Sequence, residues 1–360
     1  MSVRVTVIAE AGVNHNGDAG LALKLVDAAA DAGTDVVKFQ TFRAETLVSP
    51  RAPKAAYQEK ATGADEGQLG MLRGLELSRD AHRRARDRCR ERGIEFLSTP
   101  FDVESVRFLS DEMKVTAIKI GSGNLTDAPL LLGAARSGLP VVLSTGMGTL
   151  AEIEAALGVL AFGYAAGPDE RPSRAAFRQA FASEAGRAAI GGKVTLLHCT
   201  TEYPAPAAEA NLRAMETMRG TFGLPVGLSD HTPGIAIAIA AVALGAVAIE
   251  KHLTLDRAMI GPDHAASLEP DQFAALVAAV RAVESALGDG EKRPQPSEIK
   301  NRPIARKSLV ALRAIAKGET FDARNLGTLR PGDGVSAMEY FDWLGRAAER
   351  NYAAGETLTP

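Results

Sequence analysis

Eight short apolar runs, each followed by a stretch of helical periodicity, constrain this chain more than anything else in it. They are Val5–Ala9, Val36–Gln40, Glu95–Ser98, Ala117–Ile120, Val141–Ser144, Val194–Cys199, Pro225–Leu228 and Ala246–Glu250. Helical patterns fill the gaps, among them Gly20–Ala32, Val103–Ser110, Ala128–Ser137, Leu150–Leu160, Ile235–Leu244 and Pro270–Leu287, with Gly33, Gly138 and Gly245 as stops. Strand–helix alternation of this kind predicts parallel βαβ units, because parallel strands need a crossover. Eight units close naturally into a (β/α)8 TIM barrel of the α/β class. An open doubly wound sheet is the rival. It gathers polar residues at one switch point, whereas here they follow every run.

The barrel is expected over residues 1–287. Gly288-Asp289-Gly290 and Lys292-Arg293-Pro294-Gln295-Pro296 then read as a linker, 288–302. From residue 303 to 360 the rhythm changes to short β-like runs such as Ser308–Leu312 and turns at Lys317-Gly318-Glu319 and Arg330–Gly334. This small module is expected to lean on the barrel or on a second subunit, since so short a segment builds little core of its own. Two insertions exceed minimal loops: 43–77, which carries Pro50, Pro53 and Tyr57 and reads as a lid or binding loop, and 163–192, which reads as partly helical.

A net charge of −3 leaves no electrostatic footprint for nucleic acid. No apolar run reaches the roughly 18 residues of a membrane span. The chain is expected to enter a strand at once (Val3–Ala9) with no signal peptide. Its two cysteines, Cys89 and Cys199, form no disulfide framework, so the cytoplasm is the expected setting.

The chemistry collects where the strands end. Strand one delivers Glu10 and Asn14-His15-Asn16-Gly17; strand two Lys38, Gln40 and Thr41; strand three Ser98-Thr99; strand four Lys119, Ser122 and Asn124. Strand five brings Ser144-Thr145-Gly146, strand six His198, Thr200-Thr201 and Tyr203, and strands seven and eight Ser229-Asp230-His231 and Glu250-Lys251-His252. Polar groups at a barrel mouth need partners, and a ligand is the usual one. A strand-end lysine is a Schiff-base nucleophile, an anion clamp or half of a structural ion pair. The hydroxyl and glycine neighbours of Lys38 and Lys119 favour the clamp. His231 and His252, at adjacent strand ends, suit a divalent metal with open positions, and such ligation fits Mn2+, Mg2+ or Zn2+. His15, His82 and His198 read as structural, His82 on a solvated helix; His264 is open between the two roles. Neither cysteine has a base at a sensible spacing, and Cys199 reads as strand packing.

Taken together these motifs resemble the sialic acid synthases. The matching segments are Ile8–Gly17, Val36–Thr41, Ser98–Asp102, Ile118–Gly123, Leu143–Met147, Leu197–Thr200, Gly227–His231, Ile249–His252 and Gly261–His264. The tail from Ala305 through Gly332 is similar to that family's antifreeze-like (SAF) domain. The resemblance implies condensation of phosphoenolpyruvate with an N-acylated aminohexose, N-acetylmannosamine first, to a nine-carbon 2-keto acid and phosphate. A 2,4-diacetamido-2,4,6-trideoxyhexose, giving a legionaminic or pseudaminic acid, is the alternative. It implies a divalent metal on His231 and His252, Mn2+ ahead of Mg2+ or Co2+. It assigns Lys38, Thr99, Lys119, Ser122, Ser144, Thr201 and Ser229 to phosphoenolpyruvate, and Glu10, Lys38 and Glu250 to catalysis. Gln40, Asn124, Tyr203, Asp263 and Arg306 fall to the sugar, with Arg306 supplied by the other chain of a domain-swapped homodimer. Asn124 stands where many relatives carry glutamate, and an amide cannot serve as a base; Thr201 stands where some carry asparagine. Two other classes compete: a Schiff-base pyruvate aldolase, and a sugar-binding module without catalysis, which leaves the polar strand ends unexplained.

Overall fold

The computed structural model describes residues 4–63, 67–167 and 169–359; Val3 and residues 64–66 of the first insertion lie outside them. The chain divides into two compact units, Met1–Asp289 and Gly290–Pro360.

The larger unit is the barrel. Its strands are β1 (Thr6–Gly12), β2 (Val36–Thr41), β3 (Glu95–Pro100), β4 (Ile118–Ile120), β5 (Val141–Ser144), β6 (Val194–Cys199), β7 (Val226–Asp230) and β8 (Ala248–His252). They form one parallel sheet in the order β3-β2-β1-β8-β7-β6-β5-β4, with β3 and β4 side by side at the seam. The helices of this unit are α1 (Ala19–Asp31), α2 (Ala44–Leu47), α3 (Ala56–Thr62), α4 (Gln68–Leu75), α5 (Arg79–Arg92), α6 (Val103–Arg107), α7 (Ala128–Arg136), α8 (Leu150–Ala165), α9 (Arg174–Ala182), α10 (Glu184–Gly191), α11 (Ala214–Phe222), α12 (Ala236–Ala243) and α13 (Pro270–Ala286). Local chemistry sets their starts: Asp18, Ser78, Asp102 and Asp127 each accept a first-turn N–H, and Thr149 with Glu152 forms a capping box on α8.

The two-residue period of a strand sorts its side chains into two sets. Val7, Ala9, Val37, Phe39, Ile118, Ile120, Leu143, Val226, Leu228 and Ile249 join the buried core shared with the helices. The alternate residues form a second set, and in it a small apolar cluster of Ile8, Val36 and Leu97 precedes Glu10, Lys38 and Thr99 along the same strands. In most strands that second parity carries apolar or small residues early and the site's side chains at the C-terminal end. It also explains why β1 and β8 run beyond their apolar stretches: Glu10 pairs with Lys38 on one side and His252 on the other, so the ladder continues through the polar residues.

Three expectations change. The helix expected over Val103–Ser110 is α6 followed by a π-helical turn, Phe108–Glu112. The stretch 288–302, read as linker, carries short helices at Pro296–Ile299 and Arg302–Ala305, each with proline in its first turn. His82 is not on a solvated face. It is buried with Ala81, Ala85 and Cys89, and its ring meets Thr41 Oγ1 (3.0 Å) and the carbonyls of Ser78 (3.0 Å) and Gln40 (3.2 Å).

The smaller unit pairs β9 (Ser308–Ala311) antiparallel with β10 (Leu326–Leu329). It has its own core around Leu309, Ile315, Phe321, Leu326 and Leu358.

Candidate active site

Strand parity delivers Glu10, Lys38, Thr99, Lys119, Ser144, Cys199, Ser229 and Glu250 to one cavity of about 280 Å³ at the C-terminal ends of the strands. Four buried charges form its floor. Lys38 Nζ lies 2.8 Å from Glu10 Oε2 and 3.5 Å from Glu250 Oε2, and donates to Thr99 Oγ1 at 3.2 Å. Lys119 Nζ donates to Ser144 Oγ at 2.7 Å and stands 3.5 Å from Glu250 Oε1, which also accepts from Ser229 Oγ at 2.8 Å. Gln40 Nε2 donates to Glu10 Oε1 at 3.2 Å. Every one of the four ionic side chains is at most 5% exposed.

Burial raises both carboxyl groups and the lysines split them: Glu10, with one close cation and Glu250 nearby, is pushed up to about 7. Glu250 lies between both lysines and is held at about 2. Burial opposes charge on Lys38 too, yet Glu10 and Glu250 more than offset it and raise its pKa; Lys119, with the weaker pairing, is lowered by burial. Two carboxyl groups with separated affinities suit one proton-transferring group and one permanent counter-charge.

Beside the lysines the backbone of Gly146 donates to Ser122 Oγ at 2.9 Å. A Cβ on Gly146 would collide with both Ser122 Oγ and Thr201 Oγ1, so only glycine lets those hydroxyls converge. Among the described residues Thr201 Oγ1 is buried with no hydrogen-bond partner. A ligand oxygen would relieve it.

The other flank is aromatic. The rings of His231 and His252 lie 5.3 Å apart, with Tyr203 4.1 Å from the first and 5.5 Å from the second. His231 Nδ1 meets the Thr200 carbonyl at 2.7 Å. A carbonyl only accepts, so Nδ1 carries a proton; burial opposes charge on this ring, but Cys199, the Thr200 carbonyl and Glu250 more than offset it and raise its pKa. Among the described residues His252 Nδ1 is buried without a hydrogen bond, 3.7 Å from Asp263 Oδ2. Burial and then His231 hold the His252 ring neutral, the ligating form. Two imidazoles this close suit a divalent cation with open positions, which on binding would displace the Nε2 proton of His231. Among the described residues no group of three or more His, Cys, Asp or Glu is placed to hold a metal ion, so the two rings would be the ligands here. Asp263, buried here, is pushed up to about 6, chiefly by burial.

The cavity thus brings together all the sequence-derived site residues except two. Asn124 is buried in the short 3₁₀ turn Ser122–Asn124 and is not part of the lining, although Gly121, Ser122 and Gly123 are. Arg306 belongs to the smaller unit, where it is exposed. His15, His198 and His264 take structural partners: Gly17 N, the Ala210 carbonyl, and Thr254 with Asn16. Cys199 does more than pack. It lines the cavity with its sulfur 3.7 Å from His231 Nδ1; burial raises the thiol pKa, and His231 more than reverses that.

The sequence reading passed over Asp230 and Lys251. They pair across the β7–β8 ladder on the parity opposite to Ser229 and Glu250. Lys251 Nζ lies 2.7 Å from Asp230 Oδ2 and from the Thr232 carbonyl, and Asp230 Oδ1 accepts from Thr232 N and Oγ1. This satisfied buried pair ties together the two strand ends that carry the histidines. Alternation along Ser229-Asp230-His231 and Glu250-Lys251-His252 was the signal that could have found it.

Comparison with known proteins accords with this geometry. The NeuB family matches residues 25–292 and the SAF domain residues 306–360. The N,N'-diacetyllegionaminic acid synthase of Campylobacter jejuni is 48% identical over 99% of both chains. That of Legionella pneumophila is 40% identical over 99% of this chain and 94% of its own. A crystal structure of the N-acetylneuraminic acid synthetase from Leptospira borgpetersenii superposes with a TM-score of 0.66 at 34% identity, covering 82% of this chain and 90% of that one. Barrel, tail and motifs agree, and the chain belongs to the NeuB family, the sialic acid synthase family that its strand-end motifs resemble.

Proposed function

We propose that this chain condenses phosphoenolpyruvate with the open-chain form of a 2,4-diacetamido-2,4,6-trideoxyhexose, yielding an acid of the N,N'-diacetyllegionaminic type and phosphate. The observation that carries the choice of sugar is full-length similarity, at 48% and 40% identity, to two proteins named for that product. It displaces N-acetylmannosamine, which the sequence motifs had put first.

The site's chemistry supports the reaction class. Lys38 and Lys119, with Ser122, Ser144, Thr201 and Ser229, present charge and donors to a carboxylate and a phosphate. A divalent cation on His231 and His252, Mn2+ ahead of Mg2+ or Co2+, would polarise the sugar aldehyde. Carbon 3 of the enol acid bonds to the aldehyde carbon, whose oxygen takes the proton of Glu10, and carbon 2 becomes cationic. Glu250, ionised between the lysines, offsets that charge. Glu10, pushed up to about 7, takes the proton of the water that adds at carbon 2. The tetrahedral intermediate then expels phosphate as the keto group forms. Gln40, Tyr203 and Asp263 line the sugar side. By the family resemblance Arg306, from a second copy of the chain, would reach the N-acyl group.

The aldolase reading is weaker at Lys38, which Glu10 and Glu250 hold charged and so non-nucleophilic, and is left to Lys119, whose pKa burial lowers. The decisive experiment offers the purified protein each candidate sugar with phosphoenolpyruvate and Mn2+. Phosphate release and a nine-carbon acid by mass spectrometry are expected with the trideoxy sugar ahead of N-acetylmannosamine. A higher rate with N-acetylmannosamine would overturn the choice of sugar. Borohydride trapping of pyruvate on Lys38 or Lys119 would overturn the reaction class. For Arg306→Ala the expectation is a raised KM for sugar with phosphoenolpyruvate binding kept; equal damage to both would contradict its role.

A further inference from the structure

The cavity has a second wall that the condensation chemistry does not use. Against the charged floor stand Leu47, Val48, Met71, Leu72 and Leu75, all from the insertion after β2. They are not an extension of the barrel core. Met71 and Leu75 join Val13 and Phe42 in a separate small cluster on the catalytic face, and Leu47, Leu72 and Phe101 pack against it half-buried. An apolar surface beside four buried charges does nothing for a phosphorylated acid, so it calls for a ligand with apolar atoms.

Direction is set by the aromatic rings. Tyr203 touches both histidines, and Tyr57 of the same insertion lies 5.0 Å from Tyr203. These rings step from the histidine end of the cavity toward the insertion. Tyr57, Leu47, Val48 and Leu72 all belong to this insertion and line the cavity with the histidines, so a hexose whose aldehyde carbon is at the histidines and whose chain follows Tyr203 and Tyr57 meets the insertion's apolar side chains with its distal carbons. In a 6-deoxy sugar the last of those carbons is a methyl group; in N-acetylmannosamine it bears a hydroxyl.

Resting on the synthase reading above, we propose that Leu47, Val48 and Leu72 form a receptor for the C6 methyl group and select 6-deoxy sugars over their 6-hydroxy counterparts. Burying an unpartnered hydroxyl against this wall is unfavourable, and an apolar pocket discriminates against such an isostere by about ten- to a hundredfold. Met71 and Leu75 hold the wall from behind. The insertion, not the barrel, then sets the sugar preference.

The test compares kcat/KM for 2,4-diacetamido-2,4,6-trideoxyhexose and for the same sugar with its 6-hydroxyl restored, at saturating phosphoenolpyruvate. The wild-type protein is expected to favour the 6-deoxy sugar by at least about tenfold. Leu72→Asn and Val48→Thr, which change polarity more than volume, are expected to narrow that ratio through the 6-deoxy KM and the 6-hydroxy kcat/KM, while Leu72→Met preserves it. Equal wild-type efficiency with the two sugars, or an undiminished ratio in both polar variants, overturns the receptor and leaves the synthase reading intact. Failure of both sugars to release phosphate overturns the synthase reading and the receptor with it.

Discussion

The two ends of the barrel both carry ion pairs, but of different kinds. At the N-terminal end Asp35 accepts from Arg4 (2.7 Å), Arg281 (2.6 Å) and the backbone of Val7 (2.8 Å), and Arg281 also donates to the Val5 carbonyl. The charged partners of this knot are part-exposed or exposed, and it ties α13 to the starts of β1 and β2. At the C-terminal end Glu10, Lys38, Lys119 and Glu250 are fully buried, their proton affinities are displaced, and the hydroxyl of Thr201 beside them has no partner among the described residues. A part-exposed pair gains modest stability at little desolvation cost. A buried quartet at a mouth is expensive to hold and is explained by what it receives.

The sharpest break of this contrast is Lys38→Met. It leaves Glu10 and Glu250 facing each other without their shared cation, so phosphate release should fall by at least about a thousandfold and unfolding stability by about 3 kcal/mol. Asp230→Asn should lower stability by about 3 kcal/mol in urea titration, because it strips a fully buried Lys251, whose pKa burial already lowers, of its carboxylate partner. His15 gives a pH-dependent middle case. Burial holds its folded pKa at about 4 against an ordinary 6.5, so the unfolded chain takes up the proton first as pH falls. Stability is retained above about pH 6.5, declines from there to about pH 4, and loses about 2 kcal/mol between pH 7 and 5 on this account. His15→Gln should flatten that slope in denaturant titrations. Smallest is Arg281→Met at the N-terminal end: about 1 kcal/mol of stability, with kcat/KM unchanged.

Much of this was legible in the sequence. Apolar strands alternating with glycine-stopped helices leave few arrangements, and a polar residue ending each strand places the site. What was not legible has specific causes. Asn124 fell to the sugar side through the family resemblance, but the chain turns into a 3₁₀ helix at Ser122–Asn124 and buries it outside the cavity lining. His82 looked solvated because α5 is rich in arginine; its spacing from Ala85 and Cys89 marked a buried stripe all the same. The apolar wall had no local signature. Val13, Phe42, Met71 and Leu75 come together only through the tertiary fold.

The central claim is that the buried lysines form a cradle for a small phosphorylated acid. Calorimetric titration of phosphoenolpyruvate into the wild-type protein, Lys119→Met and Arg281→Met tests it directly. Binding is expected to weaken by at least about a hundredfold in Lys119→Met, the loss expected for a buried charge-assisted contact, and to be unchanged in Arg281→Met. Wild-type affinity retained in Lys119→Met would contradict it.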